Sequence, residues 1–357
     1  MWRRVVVLWS ASRAAILSLG LLVTSQLAWH RPIESWQTQP WQALTGWDSV
    51  YYIQISHTGY DHGPTTAFFP LYPMLIRLFQ DATGLGDAVS ALAVSNLATL
   101  VALAGFAVLA RDRLGESYSR LAPLYLVLSP FAFALALAYS EGVFLAIATW
   151  LFVAVDRGKL SAAFVLALLS GLARVNGVAL VAPILYVAWR RRSAPLAAVA
   201  LMPLVGVGMF SLWLDHEVGD PLAFVHVQKE WGGHPTFPPF ALVRELLDFV
   251  SDHQPVHLLA VIAVLVYLSL LIPILRRPVF APYRVQDTLY VAGVFILPLS
   301  AGVLQSSGRF GLLAFPLFLS LADIGMRHRG FHRAYLVFAP VVQMILFGYV
   351  ALGYLVP

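Results

Sequence analysis

The sequence predicts an all-α polytopic membrane protein with about 11 transmembrane helices, in one transmembrane domain over residues 1–357. Three observations carry this. First, 59% of the residues are hydrophobic and only 11% charged, where a soluble domain has about 25% charged residues; mean hydropathy is +0.76. Second, apolar segments near the roughly 20 residues needed to cross hydrocarbon recur along the whole chain. Third, basic residues collect in every other loop, as membrane orientation requires. The chain has no cysteine, which excludes disulfides and thiol chemistry.

The first segment, 5–29, follows a basic start at Arg3 and Arg4. Its apolar run is too long for a signal peptide and no small-residue cleavage site follows, so it reads as a retained span. The remaining segments lie at 86–110, 121–138, 142–156, 160–173, 178–189, 195–214, 257–275, 286–304, 311–325 and 334–355. Those between 142 and 189 are short for a span. With the N-terminus inside, the cytoplasmic ends carry Arg111/Arg113/Arg120, Arg157/Lys159, Arg190–Arg192, Arg276/Arg277/Arg284 and Arg327/Arg329/Arg333. The outer side keeps Arg31, Arg77, Arg174, Lys229, Arg244 and Arg309, and Arg13 lies within the first span. The net charge of +5 therefore reads as orientation in a cell membrane, not as affinity for nucleic acid.

This orientation places both long loops, 30–85 and 215–256, on the non-cytoplasmic side. In the first, residues 49–58 after Asp48 read as a short helix closed by Gly59. Phe68, Tyr72, Leu75 and Phe79 then recur at helical spacing, which predicts an amphipathic helix over 71–80 in the headgroup layer.

Five polar clusters share the outer side: "GWDS" (46–49), "YSEG" (139–142), "RVNG" (174–177), "GDPLAFVHVQKEW" (219–231) and "QSSGRFG" (305–311). Polar groups at membrane depth are costly unless they line a wet cavity, so one shared site is expected. Asp48 reads either as a helix N-cap or as a general base taking a proton from an attacking hydroxyl. Glu141 opens a span, where a carboxylate also suits the helix dipole. Asp220 before Pro221 reads as a structural cap. Arg174 and Arg309 sit between apolar runs against the orientation bias, and arginine's planar fork suits phosphate, although a buried ion pair is the alternative. Tyr51, Tyr52, Tyr60 and Trp231 are candidates to stack on a sugar, or members of an interfacial aromatic belt. The histidines form no compact ligand motif, so no metal site is expected.

These residues carry a resemblance. "WDSVYYIQISHTGY" followed by "AFFPLYP", then "SPFAFALALAYSE", "RVNG", "GDPLAF" with "VQKEW", and "GRFGLLAFP" occur in the order seen in the PIG-V family, over about residues 47–316. That family comprises integral-membrane mannosyltransferases of the GT-C fold, whose eukaryotic members add the second mannose of the GPI anchor. The compact chain resembles prokaryotic members most. The resemblance implies a polyprenyl- or dolichyl-phosphate mannose donor, an inverting transfer on the non-cytoplasmic face to a lipid or glycan hydroxyl, and no cofactor.

Carried over by residue, Asp48 becomes the catalytic candidate and Arg309 the donor-phosphate candidate. Tyr51, Tyr52, Tyr60, Glu141, Arg174, Asn176, Gln228, Lys229 and Trp231 make up the expected substrate site. Two alternatives stand beside this reading: a GT-C transferase for another lipid-phosphate-linked sugar, and a lipid-linked-sugar transporter. Transporters place ionisable groups near the midplane on matching broken helices, and no such matching pair is visible.

Overall fold

The computed structural model describes residues 2–30, 42–302 and 304–355, and every regular element among them is helical. Arg31 and the stretch 31–41 of the first outer loop lie outside the described residues. After α1 (Trp2–His30), the loop that follows supplies α2 (Asp48–Thr58) and α3 (Leu71–Thr83). Gly59 ends α2 at φ 77°, a conformation open to glycine. The apolar stripe of α3 is displaced from the expected one. Tyr72 and Ile76 are fully buried, Leu75 and Phe79 partly covered, and Met74 and Leu78 exposed. Phe68 lies before the helix in extended backbone, so it is out of phase with the residues that follow.

The bundle then builds on α4 (Asp87–Leu114), α5 (Glu116–Leu128), α6 (Glu141–Asp156), α7 (Leu160–Ala173) and α8 (Val181–Arg191). Next come α9 (Ala194–Val218), the short α10 (Ala223–His226), α11 (Pro238–Asp252), α12 (Pro255–Ser269) and α13 (Leu271–Arg276). Four helices complete the chain: α14 (Arg284–Ala301), α15 (Ser307–Leu313), α16 (Pro316–Arg327) and α17 (Arg329–Ala351). Phe106, Phe144, Phe152, Tyr290 and Phe315 fill the centre, where α4, α6, α14 and the α15–α16 joint meet.

Among the described residues, five helical stretches are long and apolar enough to cross a membrane: 2–23, 87–114, 194–218, 255–276 and 329–351. A sixth arises if α15 and α16 count as one bent span. The expected count of about 11 is not confirmed. The reason is length: α5, α6, α7 and α8 have 13, 16, 14 and 11 residues. At 1.5 Å per residue these are roughly 17–24 Å long, short of a hydrocarbon core of about 30 Å.

Between α5 and α6 the chain runs through fully buried backbone at 132–140, a short 3₁₀ turn (Ala132–Leu135) followed by irregular chain. Its carbonyls need partners, since no lipid can supply them. α4 provides them: Ser95 Oγ donates to Leu137 O (2.7 Å), Asn96 Nδ2 to Ala136 O (3.1 Å) and Thr99 Oγ1 to Leu135 O (3.0 Å). A polar stripe on an apolar helix thus holds the approach to Glu141. The α15–α16 bend of 84° falls at Ala314, whose backbone leaves the helical region (φ −77°, ψ 51°), and Pro316 at the start of α16 has no N–H with which to continue the bonding of α15. Tyr290 Oη donates to Leu313 O at the break (2.8 Å).

The opposite, arginine-rich end is tied by Arg113 at the end of α4. It contacts Asp156 of α6 (2.6 Å) and Asp287 of α14 (2.8 Å), with its guanidinium over the Tyr283 ring at 4.3 Å. Removing one partner of a buried ion pair costs about 3–5 kcal/mol, because the other charge is left uncompensated. Arg113→Met should therefore lower the melting temperature sharply, and Arg113→Met/Asp156→Asn/Asp287→Asn should recover much of the loss. Thermal unfolding of both in detergent checks this; equal melting temperatures for wild type and Arg113→Met would contradict it.

Candidate active site

The first residues of α2 and α6, the end of α7 and the short α15 come together at one point of the bundle. Four ionisable side chains meet there. Arg309 Nη1 lies 2.5 Å from Asp48 Oδ2 and 3.5 Å from Glu141 Oε1, and Arg174 Nη1 lies 3.0 Å from the same Glu141 oxygen. Two cations face two anions, so the cluster is electrically balanced.

Each member is placed by its own local structure. Glu141 begins α6 and is completely buried, and Gly142 lets α6 sit directly on α4. A Cβ at Gly142 would come within 2.7 Å of Ser95 O. Arg174 ends α7 in extended backbone (φ −163°), and the turn it begins presents Asn176 Oδ1 to its Nε at 3.5 Å. Arg309 is carried inward on α15. Gly308 beside it packs against the Phe131 ring, with no room for a side chain.

Asp48 is reached differently. Trp47 before it adopts φ 57°, ψ −126°, a region nearly closed to a bulky residue and costing about 1–3 kcal/mol. The cap reading of Asp48 fails in this geometry. It is the first helical residue, Trp47 holds the cap position, and no side chain caps α2. Asp48 is also the most open member, with its side chain 27% exposed against 0% for Glu141.

The ion contacts are poorly aligned for hydrogen bonding. Arg309 Nε and Nη1 and both Glu141 oxygens are buried without a hydrogen bond. Arg309 keeps one such bond, from Nη2 to Ser306 Oγ (3.2 Å), and rests over the Tyr139 and Phe310 rings at 5.1 and 5.4 Å. Arg174 Nη1 donates to Ser140 Oγ (2.6 Å), which also pairs with Tyr52 Oη (2.6 Å). Burial raises the Tyr52 hydroxyl to about 12, so it stays protonated and available to this chain.

Next to Tyr52, Tyr51 stacks on Phe68 (4.9 Å) and meets Trp231 edge-on (6.4 Å). Trp231 is 40% exposed, so this aromatic group keeps an open flank beside the charges. The other expected residues lie apart from the ion cluster. Tyr60 turns inward, donating to Phe68 O (2.8 Å) and packing on Phe210. Gln228 Nε2 donates to its own segment at Phe224 O (3.2 Å). Lys229 has no ion pair among the described residues. Asp61 is a loop staple: Thr65 Oγ1 and Gly63 N–H both donate to it, which holds its carboxyl below the ordinary range. The helix cap expected at Asp220 is not formed: Leu222 holds the cap position of α10, and Asp220 sits in the turn before it, accepting from Leu222 N–H and pairing with His226. Ser140, Tyr139 and Phe310 belong to the site although sequence reasoning named none of them. Among the described residues no group of three or more His, Asp or Glu is placed to hold a metal.

The geometry can be set beside known proteins. The sequence model of the family described as mannosyltransferase (PIG-V) matches residues 6–201. A 110-residue stretch is 30% identical to a GPI mannosyltransferase 2 of Drosophila melanogaster, over 27% of this chain. That stretch spans less than a quarter, 23%, of the curated relative's length. Among solved structures, ArnT from Cupriavidus metallidurans bound to undecaprenyl phosphate superposes with a TM-score of 0.58 at 17% identity. The match covers 97% of this chain and 71% of ArnT, and it shows that the fold is shared.

Glu141 is the carboxylate that both arginines touch, and it has no access to water. Glu141→Gln should reduce stability by about 3–5 kcal/mol, and pairing it with Arg174→Gln should return part of that loss. Melting temperatures of the two single variants and the double variant measure this. Strictly additive losses would mean that Glu141 and Arg174 do not act on each other.

Proposed function

Because the chain belongs to the PIG-V mannosyltransferase family, we propose that it transfers a mannosyl residue from polyprenyl- or dolichyl-phosphate mannose to a hydroxyl of a lipid or glycan acceptor. The transfer is inverting, needs no metal, and occurs on the non-cytoplasmic face of a cell membrane. The observation that supports this most is the Asp48–Arg309 ion pair: a partly open carboxylate within 2.5 Å of a buried arginine that has unused N–H groups.

In this reading the donor phosphate takes the free donors of Arg309 and Arg174, a planar cationic pair suited to phosphate oxygens. Asp48, released from Arg309, accepts the proton of the acceptor hydroxyl. The acceptor oxygen attacks the anomeric carbon from the side opposite the phosphate, and the carbon–oxygen bond to phosphate breaks with its electron pair on polyprenyl phosphate. The proton on Asp48 then passes to solvent. A phosphate leaving group held by arginine needs less acid assistance than an alkoxide, so one base and two fixed cations suffice. Tyr51 and Trp231 form the wall against which the sugar stacks. ArnT, which shares the fold, binds a polyprenyl phosphate, and this supports the lipid-phosphate donor. The gathering of the ionisable groups at one end of the bundle favours a transferase over a transporter with charges along its midplane.

Two measurements test the reading. Asp48→Asn keeps the size and neutral hydrogen bonding of the side chain, so folding should survive while transfer from polyprenyl-phosphate mannose falls by about 10²–10⁴-fold. Near-normal transfer by a variant with an unchanged melting temperature would remove Asp48 as the base. For orientation, the absence of native cysteine allows single-cysteine labelling. A membrane-impermeant maleimide should label Thr58→Cys in intact cells and Arg329→Cys only after lysis. The reverse pattern would place the site on the cytoplasmic face.

A further inference from the structure

Asp48 and Tyr52 lie one turn apart on the same face of α2, and each leads to a different arginine. Asp48 Oδ2 meets Arg309 directly, at 2.5 Å. Tyr52 reaches Arg174 through Ser140: its Oη lies 2.6 Å from Ser140 Oγ, which accepts from Arg174 Nη1 at 2.6 Å. One short helix is therefore tied to both cations, by an ion pair at its first residue and by a hydroxyl bridge one turn later.

Ser140 occupies the position before α6 where a serine side chain ordinarily accepts from the first turn, yet it caps nothing. Its oxygen goes instead to Arg174 and Tyr52. Tyr52 and Ser140 are 4% and 0% exposed, so water offers neither hydroxyl another partner. The Tyr52 ring packs edge-on against Phe68 and Tyr72, which fixes the direction of its Oη. The other polar contacts of α2 with the bundle are weaker. His57 pairs with Asp87 at 2.6 Å at the far end of the helix, but both side chains are about half exposed, where ion pairs are screened. Trp47 Nε1, at the helix start, is 3.5 Å from Val350 O, longer than an ordinary hydrogen bond.

We infer that Tyr52 is a positioning residue: when a lipid phosphate takes Arg309 from Asp48, the Tyr52–Ser140 contact keeps the first turn of α2, and with it the Asp48 carboxylate, at the reaction centre. This rests on the proposed transfer, in which Asp48 and the phosphate use Arg309 in turn. At that moment the ion pair at the start of α2 is lost. Among the described residues, the hydroxyl bridge is then the remaining polar tie between α2 and the groups that bind the donor. Arg174 keeps Ser140 and Glu141 whether or not the Tyr52 hydroxyl is present, so the bridge serves the carboxylate and not the grip on phosphate. Burial also closes the sugar-stacking role open to Tyr52 in the sequence, which passes to its neighbour Tyr51 beside the exposed Trp231.

Tyr52→Phe removes the hydroxyl and keeps the ring. In nanodiscs it should bind polyprenyl phosphate no more weakly than wild type. Its turnover at saturating polyprenyl-phosphate mannose, with a membrane lipid extract as acceptor, should fall about tenfold, the weight of one buried hydrogen bond. Ser140→Ala breaks the same bridge from the other side, so adding Tyr52→Phe to it should cost no further turnover. A second readout is independent of activity. A nitroxide on Val50→Cys, an exposed position of α2, should gain mobility when polyprenyl phosphate is added to Tyr52→Phe, but not in wild type or His57→Gln. Normal turnover or unchanged mobility in folded Tyr52→Phe would overturn the inference and leave the proposed function standing. Weaker binding of polyprenyl phosphate by that variant would also overturn it, because the hydroxyl would then belong to the phosphate site. If Tyr52→Phe melts early, the label in Ser140→Ala decides, and the absence of ligand-dependent mobility there counts against the inference. A wild type that binds no polyprenyl phosphate would remove the proposed function and the inference together.

Discussion

Arg309 places a permanent cation where the surrounding bundle leaves little water to solvate it, and the architecture around it answers that constraint. Placing an isolated charge in such an environment costs several kcal/mol after relaxation, so carboxylates must sit nearby. Asp48 comes from the start of α2 and Glu141 from the first turn of α6, each with its own supporting device. For Glu141 the device is the Ser95–Asn96–Thr99 stripe that holds irregular backbone at depth. For Asp48 it is the strained backbone at Trp47, and for Arg309 the helix break at Ala314. Arg174 balances the second acid and connects the cluster through Ser140 to Tyr52. The result is a neutral group of four charges whose hydrogen-bonding capacity is only partly used, which suits a ligand that is itself an anion.

The short helices follow from the same requirement. If α5 to α8 ran the full thickness of the membrane, Ser140, Glu141 and Arg174 would emerge at the surface among water, where ion pairs are weak and screened. Ending them early leaves Ser140 and Glu141 fully buried and Arg174 largely covered. α2, α3 and the aromatic group of Tyr51, Phe68 and Trp231 then close over them. Arg113 and its two aspartates pin the other end, tying the short α6 to α4 and α14.

Much of this is legible in the sequence, and the failures have physical causes. Asp48, Glu141, Arg174 and Arg309 are visible because ionisable residues between apolar runs, on the side where arginine is disfavoured, are expensive and need a reason. The span count is not legible, because hydropathy reports that a segment is buried in something apolar without saying whether that is lipid or protein. Segments 142–156 and 160–173 are apolar apart from small hydroxyl residues and the terminal Asp156, yet α6 packs largely inside the bundle. The cap reading of Asp48 misled because it presumed an ordinary helix start, and nothing in "GWDS" announces that Trp47 accepts a positive φ. Ser140 stands in "YSEG", where the charge of Glu141 is the stronger signal. Gln228 and Lys229 share a motif with Trp231, and a motif gives no information about which of its side chains face the site.

The central claim is that Asp48 and a polyprenyl phosphate compete for Arg309, so that ligand binding is what frees the carboxylate. The most direct test is a titration of polyprenyl phosphate into the protein in nanodiscs, comparing the affinities of wild type, Asp48→Asn and Arg309→Gln. Competition predicts that Asp48→Asn, with no anion to displace from Arg309, binds polyprenyl phosphate more tightly than wild type, and that Arg309→Gln binds it more weakly. Unchanged or weaker binding by a folded Asp48→Asn variant would contradict the account, because Asp48 would then hold Arg309 in place for the phosphate and not against it.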